Sequence, residues 1–176
     1  MIKIILAAML TLIPTKAQER HGEAAAAAAS RYAVVADAVA DASNGDSRVA
    51  ALLLTVAKHE SSLRRGVHTG KIRGDGGRSW GLWQVLCGKA GDACPRTDLE
   101  AFQLVGVDAP ATRIAAGLAA QYLRAAGKRC GWKPRCIFMA YGGVSKTTNL
   151  KVRGRIDARV RTYRFLRAFF ASRATR

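Results

Sequence analysis

Carboxylates are scarce in this chain: 12 Asp and Glu stand against 29 Lys and Arg in 176 residues, a formal net charge of +17. That balance gives the sign of a macromolecular partner, which must be negative, and little else. Any apolar run approaching the ~20 residues of a spanning helix is also missing. Strand-like alternation is rare, and no internal repeat is present. CxxC and HExxH spacings are absent, so the zinc reading is weak even with His59 or His68 as helpers, and no metal is expected. Without GxxxxGK[ST], and with no strand before it, the glycine-rich stretch 66–78 makes a poor phosphate cradle.

What is present begins with a short leader. Lys3 supplies a positive n-region, Ile4 to Ile13 form an apolar run, and Thr15-Lys16-Ala17 offers small residues for cleavage. Residues 1–17 therefore read as a secretory signal peptide, and the protein as exported, either periplasmic or secreted. Cleavage would remove Lys3 and Lys16 and leave a strongly basic chain. The cysteines fall in two close pairs, Cys87 with Cys94 and Cys130 with Cys136, and in an exported protein two local disulfides are the simplest account. Other pairings stay open, because four cysteines allow three connectivities.

Chain length fits one domain with a single core. Residues 18–45 are Ala-rich, with Val34, Val35, Ala38 and Val39 on one side of an expected helix, and Asn44-Gly45 ends it. Residues 46–150 are expected to form the main domain. Asp46 or Ser47 caps a helix through Leu52, Leu53, Val56 and Glu60, ending near Leu63 to Gly66. Further helices are expected over 111–126, with Ile114, Leu118, Tyr122 and Ala125 as the apolar face, and from Pro134 to Tyr141. The basic segment 151–176 repeats Ile156, Val160, Tyr163, Leu166 and Phe170 at helical spacing among arginines, which predicts a helix packed on the same domain. The fold class is mainly α, with a small β-hairpin as the one exception, in the mobile loop predicted for the glycine-rich segment.

Glu60 is the acid that stands out. Ala57, Val56 and Leu53 precede it at i−3, i−4 and i−7, so the carboxyl lies on the apolar face of its helix. Partial desolvation and the nearby helix C-terminus both disfavour its charged form, which suits a proton donor. The structural alternative is a buried Glu paired with Arg64 at i+4. His59 points away from this face and is expected at the surface; His68 falls in the loop without an obvious partner.

Three islands occur in order: AKHESSL around Glu60, SWGLWQV from Ser79 to Val85, and MAYGGVSK around Tyr141. Together they resemble the soluble lytic transglycosylases and their goose-type lysozyme relatives, with a Glu-Ser pair, a G-L-M-Q segment and an A-Y-N-A-G segment. The likeness runs from Val49 to Ser145. It implies a lysozyme-like helical domain in which Glu60 is the single catalytic acid, followed by Ser61. It also implies that Gly81, Leu82 and Gln84 line a sugar cleft and that Tyr141 bonds near the acid. Ser79 is a candidate for binding the N-acetyl group, or a cap for the segment before Trp80. Trp83 replaces methionine, where its ring would stack on a pyranose; Gly142-Gly143 stands in place of Asn-Ala-Gly. The Glu60–Gln84 interval is longer than in the family pattern, and Asp75 within it is a candidate second carboxylate, although a solvated turn residue is the stronger reading. For Trp80 and Trp83 the stronger reading is core or cleft wall, and for Gln84 and Tyr141 the structural alternatives are a satisfied buried amide and packing.

The implied activity is cleavage of the β-1,4 bond between N-acetylmuramic acid and N-acetylglucosamine in peptidoglycan, leaving 1,6-anhydro ends. It needs no cofactor. A goose-type hydrolase of the same bond is the near alternative. A non-catalytic cationic secreted protein, binding DNA or anionic envelope surfaces through 151–176, is the distant one. Expected partners are peptidoglycan strands and, through the basic helix, anionic cell-envelope polymers or a membrane surface; nucleic acid suits the charge as well.

Overall fold

Helices form where the hydrophobic spacing puts them, and alanine sets how closely they approach. The computed structural model describes residues 1–86, 102–144 and 148–174. In chain order these build α1 (Ile2–Leu12), a 3-10 turn (Thr15–His21), α2 (Ala25–Ser43), α3 (Ser47–Ser61) and a one-turn α4 (Arg65–His68). A hairpin of β1 (Ser79–Trp80) and β2 (Val85–Leu86) follows, then α5 (Ala109–Arg129), α6 (Pro134–Tyr141) and α7 (Leu150–Ala174). The protein is mainly α, and its hairpin, expected within the glycine-rich stretch 66–78, forms just after it, with Trp80 opposite Val85. Among the described residues, no helix is long and apolar enough to cross a membrane.

α3 is the central helix, packed against α2, α5 and α7, and Val49 through Ala57 are all buried. The Asp46 carboxylate accepts from Arg48 N at 2.8 Å and caps its start. The helix stops at Ser61, short of the predicted end, because Ser62 and Leu63 both turn left-handed at φ 51° and 52°. Ser61 stabilises that break: its hydroxyl donates to Ala57 O at 2.6 Å and accepts from Leu63 N at 3.1 Å.

The apolar face expected for the 111–126 helix is not the one buried. Ile114, Tyr122 and Ala125 of α5 are exposed and Leu118 is half-buried, whereas Ala115, Ala116, Ala119, Ala120, Leu123 and Ala126 are buried. α5 lies along α2 with small residues between them. Backbones joined through alanine come close enough to gain dispersion contacts that larger side chains would hold apart. In α7 the prediction holds at all five positions, since Ile156, Val160, Tyr163, Leu166 and Phe170 are buried. The segment expected as a leader supplies α1, with Ile5, Ala8 and Met9 buried and with contacts to α2, α3 and α7.

Cys130 and Cys136 form the expected local disulfide across the turn from α5 to α6; Cys87 and Cys94 lie outside the described residues. Behind the end of α3 sits a buried ion pair. Arg31 reaches Glu23 through Nε at 2.8 Å and Nη2 at 2.6 Å, and Nη2 also donates to Leu63 O at 2.6 Å. This pins the left-handed turn that follows Glu60.

His59 and His68 both differ from expectation. His59 is half-buried, with Nε2 3.0 Å from Thr162 Oγ1 of α7. His68 ends α4 and is buried, its Nε2 3.0 Å from Thr112 Oγ1. The Thr112 hydroxyl spends its hydrogen on Asp108 O at 2.7 Å, so the ring donates from Nε2. Burial, then the positive Arg31, lower the His68 pKa from 6.5 to about 3. Above pH 6.5 folded and unfolded chains are both neutral at this ring; below it the unfolded chain takes a proton that the folded chain refuses until about pH 3. Stability is therefore full above pH 6.5 and falls as the pH drops toward 3. His59, lowered to about 4 chiefly by burial, adds in the same direction. The urea midpoint is expected to decline from pH 6.5 downward, and His68→Gln to flatten that decline; an unchanged slope in the variant would assign the loss to other groups.

Candidate active site

Glu60 projects from the last turn of α3 into a cleft of about 580 Å³. The walls come from four parts of the chain. Asp75 and Gln84 belong to the hairpin region, Tyr122 to α5, Tyr141 with Gly142 and Gly143 to α6 and its end, and Arg155 and Arg159 to α7. The Glu60 side chain is 22% exposed and its Oε1 accepts from Arg159 Nη2 at 2.6 Å. The predicted alternative partner, Arg64, instead donates to Ser61 O.

Two opposing effects act on this carboxyl. Burial raises its pKa and is the larger; Arg159 and Arg155 lower it, while Asp75 adds to the rise. The net direction is upward, toward a group that holds its proton nearer neutrality. Tyr141 stands beside it with a phenol pushed far above its ordinary range by burial and by the negative charge of Glu60. That hydroxyl stays protonated and donates to Trp83 O at 2.6 Å. Tyr122 packs edge-on against the Tyr141 ring, with centroids 5.5 Å apart.

The cleft gathers Glu60, Gln84, Tyr141 and Asp75 from the sequence candidates and puts the others behind its walls. Ser61 is buried in the helix-end bonds described above, which leaves no hydroxyl facing the cleft. Ser79 is buried too, and its Oγ donates to Asp75 Oδ2 at 2.6 Å. Its hydroxyl is thus spent on Asp75, the candidate second carboxylate, and does not face the cleft. Leu82 is core. Trp83 takes the core alternative and not the stacking one: it is fully buried and donates from Nε1 to Leu53 O at 3.1 Å. An indole that fills a core has no face left for a ligand. Gly81 contributes shape: at φ 68° a Cβ there would meet Leu104 O at 2.6 Å. Asp75 is exposed in its turn yet borders the cleft.

Gln84 is held by backbone. Its Nε2 donates to Gly81 O at 3.0 Å, and its Oε1 lies where a Cβ on Gly74 would come within 2.2 Å, so the glycine at 74 makes room for it. Gly142 borders Arg159 less tightly, with Nη1 3.6 Å from where a Cβ at 142 would stand, an ordinary contact distance. Of the Gly142-Gly143 departure noted in the sequence, it is Gly142 that borders the guanidinium.

Arg155, Arg159 and Tyr122 are cleft residues that the sequence reasoning missed. One signal was present: Arg155 and Arg159 are i, i+4 on α7 and flank Ile156, so they share a side with a buried position. Nothing in the sequence separates them from the other arginines of that helix.

Tyr141→Phe leaves the carbonyl of buried Trp83 without its donor and is expected to cost about 1–3 kcal/mol, read by urea unfolding; a neutral result would mean that water or another donor replaces the phenol. Comparison with protein-family models, curated proteins and solved structures finds no match to this chain.

Proposed function

We propose that the chain is an exported enzyme that cuts the β-1,4 bond of peptidoglycan between N-acetylmuramic acid and N-acetylglucosamine, as a lytic transglycosylase of lysozyme-like architecture. The observation that carries this reading is a carboxyl with an upward-shifted pKa in a cleft of about 580 Å³, with Gln84 and Tyr141 on its walls. All three come from the islands that suggested the family.

In this mechanism neutral Glu60 gives its proton to the bridging oxygen as the bond to the anomeric carbon breaks. The N-acetyl oxygen of the same sugar attacks that carbon and closes a cyclic intermediate, so no second protein carboxylate has to bond there. Glu60, now charged, takes the proton of the sugar's 6-hydroxyl. The 6-oxygen displaces the N-acetyl oxygen, leaving a 1,6-anhydro end and a neutral Glu60. Water in place of the 6-hydroxyl would give hydrolysis, and Asp75 supports that variant. It is fixed by Ser79 and borders the same cleft.

Clearing of purified murein is expected for the native protein and a loss of at least about a hundredfold for Glu60→Gln, the range set by removing a general acid. Mass spectra of the products decide between anhydro and reducing ends. Equal clearing by both proteins would eliminate the enzyme reading in favour of a cationic binding protein.

The exposed side of α7 supports docking to anionic envelope polymers. Arg153, Arg161, Arg164 and Arg173 are exposed there, and Asp157, the helix's one acid, is paired with Arg135. Arg161→Gln with Arg164→Gln is expected to weaken binding to anionic walls and to flatten its salt dependence. Unchanged binding would remove this face from the account, and a matching loss of thermal stability would assign the two residues to the fold.

A further inference from the structure

Arg159 uses little of its bonding capacity. A guanidinium carries five N–H donors in a fork that fits the two oxygens of a carboxylate. Here Nη2 meets Glu60 through Oε1 alone, and Nε is buried with no partner among the described residues. The side chain is only 14% exposed, yet it lines the cleft. Gly142 leaves the space beside Nη1 clear of any side chain of its own. One turn earlier on α7, Arg155 lines the same cleft and is exposed.

The charges around Glu60 are thus Arg155 and Arg159 from α7 and Asp75 from the hairpin side. A buried guanidinium held at one point and idle at another is poised to exchange a one-oxygen contact for a two-oxygen one. Its competitor for that exchange must itself be a carboxylate able to enter a glycan-sized cleft. The proposed substrate supplies one close to the scissile bond, on the lactyl ether of N-acetylmuramic acid or on the peptide it carries.

We propose that Arg159, with Arg155 beside it, is the receiver for a carboxylate borne by the glycan, and that this carboxylate draws Arg159 off Glu60 as the strand binds. The proposal rests on the glycan-cleaving reading of the cleft and adds a selectivity: strands with acidic substituents bind, and neutral amino-sugar strands bind poorly. Arg159 is then a positioning residue for the acid and a contact residue for the ligand. When it moves to the ligand, the influence that most lowers the pKa of Glu60 moves with it, at the moment the acid must be neutral.

The probe is a tetrasaccharide of alternating N-acetylglucosamine and N-acetylmuramic acid, made with free lactyl carboxylates and, separately, with those carboxylates converted to amides. Binding by calorimetry is expected to favour the free acid by about tenfold in the native protein, the size of one charge-assisted bond. Glu60→Gln, which removes the competing carboxylate, is expected to tighten the free acid further and leave the amide where it was. Arg159→Met should abolish the preference and Arg159→Lys keep part of it. Equal binding of acid and amide by the native protein would overturn the proposal, as would a preference that survives in folded Arg159→Met. The native and Glu60→Gln arms decide the matter if the Met variant does not fold. Binding is read independently of clearing: a protein that prefers the acid form but clears no murein would refute the enzyme reading alone, and one that clears murein without the preference would refute this inference alone.

Discussion

A carboxyl group taken out of water at the end of a buried helix is the constraint around which this molecule is arranged. α3 is enclosed on its flanks, and Glu60 follows a buried run that ends at Ala57. Left alone in such a place, a carboxylate costs several kcal/mol, and the group either protonates or finds a cation. Both happen to a degree. Burial lifts its pKa and Arg159 draws it back, so the group lies between the two limits with burial the stronger.

Holding the carboxyl there is the task of its neighbours. The left-handed turn at Ser62 and Leu63 ends α3 one residue after Glu60, and the buried Arg31–Glu23 pair fixes that turn through Leu63 O. Across the cleft, Trp83 joins three parts of the chain. Its indole donates to Leu53 O of α3, its own carbonyl accepts from Tyr141 of α6, and its backbone lies in the hairpin turn. Satisfying those polar atoms in a core is a geometric demand met by few arrangements, which is how one buried tryptophan registers the walls of a cleft it does not touch. The residues that look most like sugar readers in the sequence, Trp83 and Ser79, thus build the site from behind.

Local signals made the helices legible. Asp46 caps α3, proline opens α6, and five apolar positions in α7 repeat at helical spacing, so all three elements begin where expected. The buried face of α5 does not follow side-chain size. Ile114 and Tyr122 are larger than the alanines beside them, but α2 is itself Ala-rich and the two helices pack through their small sides. Which face is inside depends on the partner, and a single helix does not state its partner. The same limit applied to the site. Glu60, Gln84 and Tyr141 stood out because their neighbours in sequence marked them. Arg159 could not, since its meaning comes from a contact 99 residues away.

An acid that must also serve as a base needs an environment that tolerates both of its charge states. Burial alone would favour the proton so strongly that the carboxylate formed on donating it would be a high-energy species. A fixed guanidinium alone would favour the carboxylate and leave nothing to donate. A cation on a different helix, contacting the acid through one oxygen and backed by a glycine instead of a side chain, satisfies both requirements if its hold varies during the reaction. Under the proposed mechanism Glu60 and Arg159 have that relation, on separate helices and with Gly142 beside the guanidinium. The nearby arginines draw the carboxyl toward its charged form, and burial is what moves the balance back toward the proton.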